Sequence, residues 1–220
     1  APCYNEENNI KTLVTEISKT LYKKNITHEL IIIDDGSKDD TKNIIKNLNE
    51  FYLDLKIVRV YHNKNMGIFE SWKSGLKKAS GQIVCFIDSD LQNPPGEIFN
   101  LYKELINSHY DIIQGSRSNI GREINIRFIL SIGLNFLLNI IFQIRSNDNK
   151  SGFFLGYKNC IENILNIRFK YYFAHTFCRI SAEYKGYEVK EVETLFEKRK
   201  TGKSFLADFP IIGICKVIYD

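Results

Sequence analysis

Gln82-Ile83-Val84-Cys85-Phe86-Ile87-Asp88-Ser89-Asp90-Leu91-Gln92-Asn93-Pro94-Pro95 runs from a β-branched apolar stretch directly into two carboxylates, an amide and a proline pair. The apolar part reads as a buried strand and the polar part as its exposed carboxyl end. Two carboxylates one residue apart repel each other unless a cation or a proton sits between them. A hard divalent ion prefers such oxygens and can share them with a diphosphate, and Gln92 adds a carbonyl oxygen on the same side. Pro94-Pro95 stiffens the exit and opens the next helix. Taken alone, Asp-x-Asp fits a solvated turn equally well. The strand in front of it, and a second polar strand end elsewhere, favour the metal reading.

Working outward, the same alternation recurs. Leu30 to Ile33, Lys56 to Val60, Asp111 to Gln114 and Tyr187 to Phe196 read as strands. Glu7–Leu21, Thr41–Leu48, Phe69–Ala79, Glu97–Ile106 and Ala174–Tyr184 carry helical apolar spacing. The pattern predicts an α/β fold, a mostly parallel central sheet flanked by helices in a single domain over 1–220. Open parallel sheets place their ligand crevice at the carboxyl ends of the strands. Asp34-Asp35-Gly36-Ser37 occupies such an end: its aspartate can accept hydrogen bonds from a ribose or base, and Gly36 permits the tight exit. The competing reading is a cap for the next helix through Ser37, Asp39 and Asp40.

Ile124 to Ile144 is unusual. Its polar members Arg127, Ser131, Asn135, Asn139 and Gln143 recur every fourth residue amid Ile, Leu and Phe. One polar stripe on an apolar helix suits either a buried helix or one lying in a membrane interface. In the second case Phe128 and Leu138 would meet lipid, with Arg122 and Arg127 near anionic headgroups or a lipid phosphate.

Bulk properties narrow the classes. The 220 residues carry 30 Lys plus Arg against 26 Asp plus Glu, a net charge of +4. That surplus is too small to argue for nucleic acid. The five cysteines are odd in number, scattered and without a C-x-x-C pair, so a disulfide framework or zinc site is not expected. A reducing, cytoplasmic setting follows. No apolar run reaches about 18 residues, so no spanning helix is expected. Ala1-Pro2-Cys3-Tyr4 lacks a leader and a methionine and reads as a trimmed start with its first strand truncated.

Several stretches together resemble the inverting glycosyltransferase family 2, nearest its polyprenyl-phosphate (dolichyl-phosphate mannose or glucose synthase-like) branch. They are Pro2-Cys3-Tyr4-Asn5-Glu6-Glu7, Ile33-Asp34-Asp35-Gly36-Ser37, Asn65-Met66-Gly67 and Asp88 to Pro95. Gly115-Ser116-Arg117, Ser151-Gly152-Phe153, Glu191-Val192-Glu193 and Arg199 to Ser204 extend the match over nearly the whole chain. The resemblance implies a GT-A fold in which Pro2, Tyr4, Asn5, Glu6, Asp35, Gly67 and Ser89 belong to the donor site. Asp88, Asp90 and Gln92 would hold Mg²⁺ or Mn²⁺, and Arg117 and Arg199 would face phosphate groups of donor or acceptor. Ser204 would assist a closing loop.

The implied reaction moves a sugar from a UDP- or GDP-sugar to a polyprenyl phosphate at the cytoplasmic face of a membrane. No nucleic acid is involved, and a homo-oligomer is left open. A hydroxyl acceptor needs a general base, which relatives supply as a carboxylate before the last strand. Here that place reads Tyr172 to Phe177, without one. A phosphate monoester, with a second pKa of about 6, needs none. His175 is the alternative base, and with it a saccharide hydroxyl acceptor is the alternative substrate. A sugar-nucleotidyltransferase is disfavoured because Pro2 to Glu7 lacks a glycine- and arginine-rich loop. A non-catalytic lectin-like protein is disfavoured by the intact aspartates.

Overall fold

The computed structural model describes residues 1–24, 26–48, 56–117, 126–166 and 174–199. In chain order the elements are β1 (Pro2–Cys3), α1 (Ile10–Tyr22), β2 (Glu29–Asp34), α2 (Thr41–Asn47), β3 (Lys56–Tyr61), α3 (Ile68–Leu76) and β4 (Ile83–Phe86). There follow α4 (Glu97–Ile106), β5 (Ile112–Arg117), α5 (Ile126–Phe142), β6 (Phe154–Tyr157) and α6 (Lys158–Leu165). A 3₁₀ turn (Ala174–Phe177), α7 (Cys178–Tyr184) and β7 (Val189–Thr194) complete the described elements.

The strands form two ladders, β1-β2-β3 and β4-β6-β5-β7. The first is parallel throughout. In the second, β5 and β7 run parallel, but β6 is antiparallel to both β4 and β5. The sheet is thus mostly parallel with one reversed strand, and that strand and α6 are the elements the sequence pattern did not predict. Gly152 stands just before the apolar run of β6 and Gly156 interrupts it, which weakens the strand signal. Gly156 sits in a tight place, where a Cβ would stand 3.0 Å from the Asp111 carbonyl oxygen.

Helices cover the ladders through their apolar faces. Ile10, Leu13, Val14, Ile17 and Leu21 of α1 and Ile98, Leu101 and Leu105 of α4 join Ile32, Ile113 and Leu155 in one core. A second core surrounds Trp72, whose ring stacks on Phe86 at 4.7 Å and meets Phe154 edge-on at 6.4 Å.

α5 is built inside out. The middle of its stripe faces the protein: Asn135 and Asn139 donate to the Ser146 carbonyl at 2.7 and 2.8 Å. Asn149 answers, its backbone N–H donating to Asn135 Oδ1 and its amide to Asn139 Oδ1, both at 2.8 Å. Leu134 and Leu138 pack on Ile180 and Ile144. The opposite face exposes Ile126, Ile129, Ile132, Phe136, Leu137, Ile140 and Ile141. A fully buried helix is therefore excluded, and Leu138, expected on the lipid side, belongs to the core at 4% exposure. The Arg127 side chain and Arg122 lie outside the described residues. No helix among the described residues is long and apolar enough to cross a membrane.

Gly36 shows how tightly the strand ends are drawn together. Its φ is 71°, and a Cβ there would come within 2.5 Å of the Lys64 carbonyl carbon. Both the left-handed conformation and the close approach exclude a side chain. Gly36→Ala is expected to lower the unfolding free energy by about 2–4 kcal/mol, measurable by urea denaturation.

Candidate active site

Parallel pairing brings the carboxyl ends of β1, β2 and β3 to one edge, and an ion pair brings the end of β4 to the same place. Arg199 donates through an NH2 to Asp90 Oδ2 at 2.6 Å, while its NH1 lies 3.6 Å from Glu6 Oε1. One guanidinium thus joins the loop after β1 to the loop after β4. Glu6, Asp88 and Asp90, three of the residues expected in the site, feel its charge.

The loop after β1 is fastened to the loop after β2 by reciprocal bonds. The Asn5 N–H donates to Ser37 Oγ at 3.0 Å, and Asn5 Oδ1 accepts from the Lys38 N–H at 2.8 Å. The Glu6 N–H donates to Thr41 Oγ1 and the Asp40 N–H to Glu7 Oε2. Asn5, at φ 56°, thereby fastens the two loops together. Ser37 and Thr41 spend their hydroxyls across the crevice. Asp39 does both jobs, accepting from the Thr41 N–H at 3.1 Å and from the Glu7 N–H at 3.3 Å. The Asp35 carboxylate, 5% exposed, accepts from the Met66 and Gly67 N–H groups at 2.8 Å and lies 2.7 Å from His62 Nδ1.

Asp88 and Asp90 stand at the end of β4, where Leu91 adopts a left-handed φ of 61° that turns the chain sharply. The Gln92 N–H donates to Asp90 Oδ1, and its Nε2 to the Glu197 carbonyl, leaving its Oε1 as the available oxygen. Burial, reinforced by the Asp90 charge, pushes the Asp88 carboxyl up to about 6, against the pull of Arg117, the Ala1 amino group and Arg199. That imbalance marks a place short of positive charge. Among the described residues no cluster of three or more His, Cys, Asp or Glu side chains is placed to hold a metal. Two carboxylates and one amide oxygen nonetheless fit a hard divalent cation that takes its remaining ligands from a diphosphate and water.

The raised Asp88 pKa has a sign in stability. The folded chain holds that proton more tightly than the unfolded one, so the penalty is absent below about 4 and complete above about 6. Asp88→Asn is expected to stabilise the metal-free chain by about 3 kcal/mol at pH 7.5, with the gain vanishing near pH 4. Urea denaturation at both pH values measures it.

Arg117 does not stand free. Its Nε and NH2 donate to the two oxygens of Asp148 at 2.5 and 2.6 Å. Burial opposes the Asp148 charge, but the bidentate Arg117 outweighs it and holds the carboxyl below its ordinary value. Nothing in the sequence pointed to Asp148. Behind it, Arg179 is bonded to Gln114, Glu183 and Glu191, and Glu191 to the Asn147 N–H. Burial pushes the Cys3, Cys85 and Cys178 thiols up to about 12, so none is a nucleophile near neutral pH. Ser204 and the side chain of His175 lie outside the described residues.

The sequence model of Glycosyl transferase family 2 matches residues 1–165. The chain belongs to that family. The resemblance read from its motifs therefore holds. An undecaprenyl-phosphate 4-deoxy-4-formamido-L-arabinose transferase of Pseudomonas syringae is 34% identical over 118 residues, covering 54% of this chain and 34% of that protein. A dodecaprenyl-phosphate galacturonate synthase of Rhizobium johnstonii is 31% identical over 148 residues, covering 67% of this chain and 43% of that protein. The chain spans less than half the length of either relative. Among solved structures, a mannosyltransferase of Pyrobaculum calidifontis in complex with GDP-Man and Mn²⁺ superposes with a TM-score of 0.67 at 15% identity, covering 94% of this chain and 57% of that one. Glucosyl-3-phosphoglycerate synthase of Mycobacterium tuberculosis with Mn²⁺ and UDP-glucose gives 0.61 at 22% identity, covering 99% and 76%. These likenesses show the fold, GT-A, that the family's motifs implied.

Proposed function

We propose that this family 2 chain is an inverting, metal-dependent glycosyltransferase that moves a sugar from a UDP- or GDP-sugar to a polyprenyl phosphate at a membrane surface. The observation that carries the reading is the meeting of two carboxylates, Asp88 and Asp90, with two guanidiniums: Arg199 is bonded to Asp90, and Arg117, bonded to Asp148, acts on Asp88 through its charge. Carboxylates suit the cation of a nucleotide diphosphate, and guanidinium forks suit phosphates. The relatives of Pseudomonas and Rhizobium are named for polyprenyl-phosphate substrates, and the fold neighbours were solved with nucleotide sugars and Mn²⁺.

A bound Mg²⁺ or Mn²⁺ would supply charge neutralisation for the departing diphosphate. The chain's own residues do the rest. Asp35 and the loop from Pro2 to Glu6 hold the nucleoside, with Ser89 and Gly67 beside them in the donor site. Arg199 holds Asp90 in place before loading and then steadies the attacking phosphate opposite the leaving group, joined by Arg117 once the phosphate displaces its Asp148 partner. An anionic phosphate attacks without a general base. The exposed apolar face of α5 rests on the lipid surface, at the cytoplasmic face of the membrane, and brings the acceptor to Arg117.

A panel of UDP- and GDP-sugars with Mn²⁺ and undecaprenyl phosphate in detergent tests the reading. Labelled sugar should enter the lipid phase with one donor. Transfer only to a soluble saccharide would replace it with the hydroxyl-acceptor reading, in which His175 is the base.

A further inference from the structure

His62, one of four histidines with no ligand spacing in the sequence, stands between two of the elements that build the pocket. Its Nδ1 lies 2.7 Å from Asp35 Oδ1 and its Nε2 2.9 Å from Ser74 Oγ, with the side chain 8% exposed. An ionised Asp35 only accepts, so Nδ1 carries a proton. The backbone of His62 is pinned as well, its N–H donating to the Asp34 carbonyl at 2.9 Å. Asp35 follows β2, His62 follows β3, and Ser74 lies on α3, so the chain of contacts ties three elements together.

A carboxylate has four acceptor directions. At Asp35, Oδ1 uses both of its own, on His62 and the Met66 N–H, while Oδ2 accepts from the Gly67 N–H. One direction on Oδ2 is left. Two backbone N–H groups, one to each oxygen, leave the carboxylate plane free to tilt about them. The imidazole adds the third bond that stops the tilt, and Ser74 stops the imidazole from turning.

We propose that His62 is a positioning residue of the donor pocket, fixing the Asp35 carboxylate so that its last acceptor direction meets an N–H or O–H of the donor's nucleoside. This rests on the donor reading of Asp35 given above. Removing His62 should therefore weaken recognition of the nucleoside and spare recognition of the diphosphate, which is held at Asp88 and Asp90.

Titration calorimetry of the whole chain with Mn²⁺ plus UDP, GDP or inorganic pyrophosphate separates the two. His62→Ala should weaken whichever nucleoside diphosphate the parent binds by about tenfold, the worth of one charge-assisted bond, and leave pyrophosphate affinity unchanged. His62→Gln, which restores an N–H, should stay within about threefold of the parent. In turnover the donor KM should rise while kcat at saturating donor holds. Unchanged UDP or GDP affinity in His62→Ala overturns the proposal, and so does equal loss of nucleotide and pyrophosphate, the mark of a merely structural histidine. If His62→Ala does not fold, Ser74→Ala decides: about a threefold selective loss is expected, and parent affinity overturns the proposal. Asp35→Asn tells the two failures apart. If it binds nucleotide normally, the donor reading of Asp35 falls and this role with it; if it loses affinity while His62→Ala does not, only the role of His62 falls.

Discussion

Asp90→Ala is expected to bind no Mn²⁺ and to transfer sugar at least ~1,000-fold more slowly than the parent, while melting within a few degrees of it. The loss in rate follows from removing one of two carboxylates that share the cation. The near-neutral stability follows from two opposed changes. Arg199 loses its 2.6 Å partner, yet it is 23% exposed and keeps Glu6 nearby. Asp88 loses the charge that helps hold its carboxyl up near 6. Manganese binding by electron paramagnetic resonance, turnover of the donor and a circular dichroism melt measure the three quantities. Parent-like transfer, with or without chelator, would sink the metal assignment.

The second large effect is expected on α5. Phe136→Asp with Ile140→Asp should reduce binding to anionic liposomes by about 10–100-fold, with lipid glycosylation falling in parallel and donor binding intact. Phe136 is 66% exposed and Ile140 58%, so neither substitution buries a charge. Leu138→Asp is the contrasting variant. It places a carboxylate among Leu134, Ile144 and Ile180 and should unfold that corner. Co-sedimentation with vesicles, checked against dichroism, reads both. Folded Phe136/Ile140 variants that still glycosylate lipid at the parent rate would remove α5 from the membrane.

Much of this was legible in the sequence because the decisive signals are local. β2 and β4 each pass from β-branched residues into carboxylates within one step, and both strand ends lie where that pattern predicts. The amphipathic helices carry their own period. What stayed hidden depends on contacts between distant segments. Asp148 is 31 residues from Arg117, and Asp35 27 from His62. No spacing rule connects them. β6 escaped because its pairing is antiparallel and its glycines dilute the run. The stripe on α5 was visible, but which side faced in was not. Polar residues on a mostly apolar helix ordinarily face water; here Asn135 and Asn139 find better partners in the Ser146 carbonyl and Asn149.

That inversion also governs how the protein behaves in a test tube. A helix whose greasy side looks outward and whose asparagines are spent inward is expected to scavenge detergent, stick to plastic and pair with its own kind in plain buffer. It also shows where to intervene for crystallography. Exchanging Ile129, Ile132, Phe136 and Ile140 for glutamate or lysine disturbs none of the bonds that Asn135 and Asn139 make. It is expected to yield a well-behaved aqueous protein whose donor binding can be studied with no lipid present.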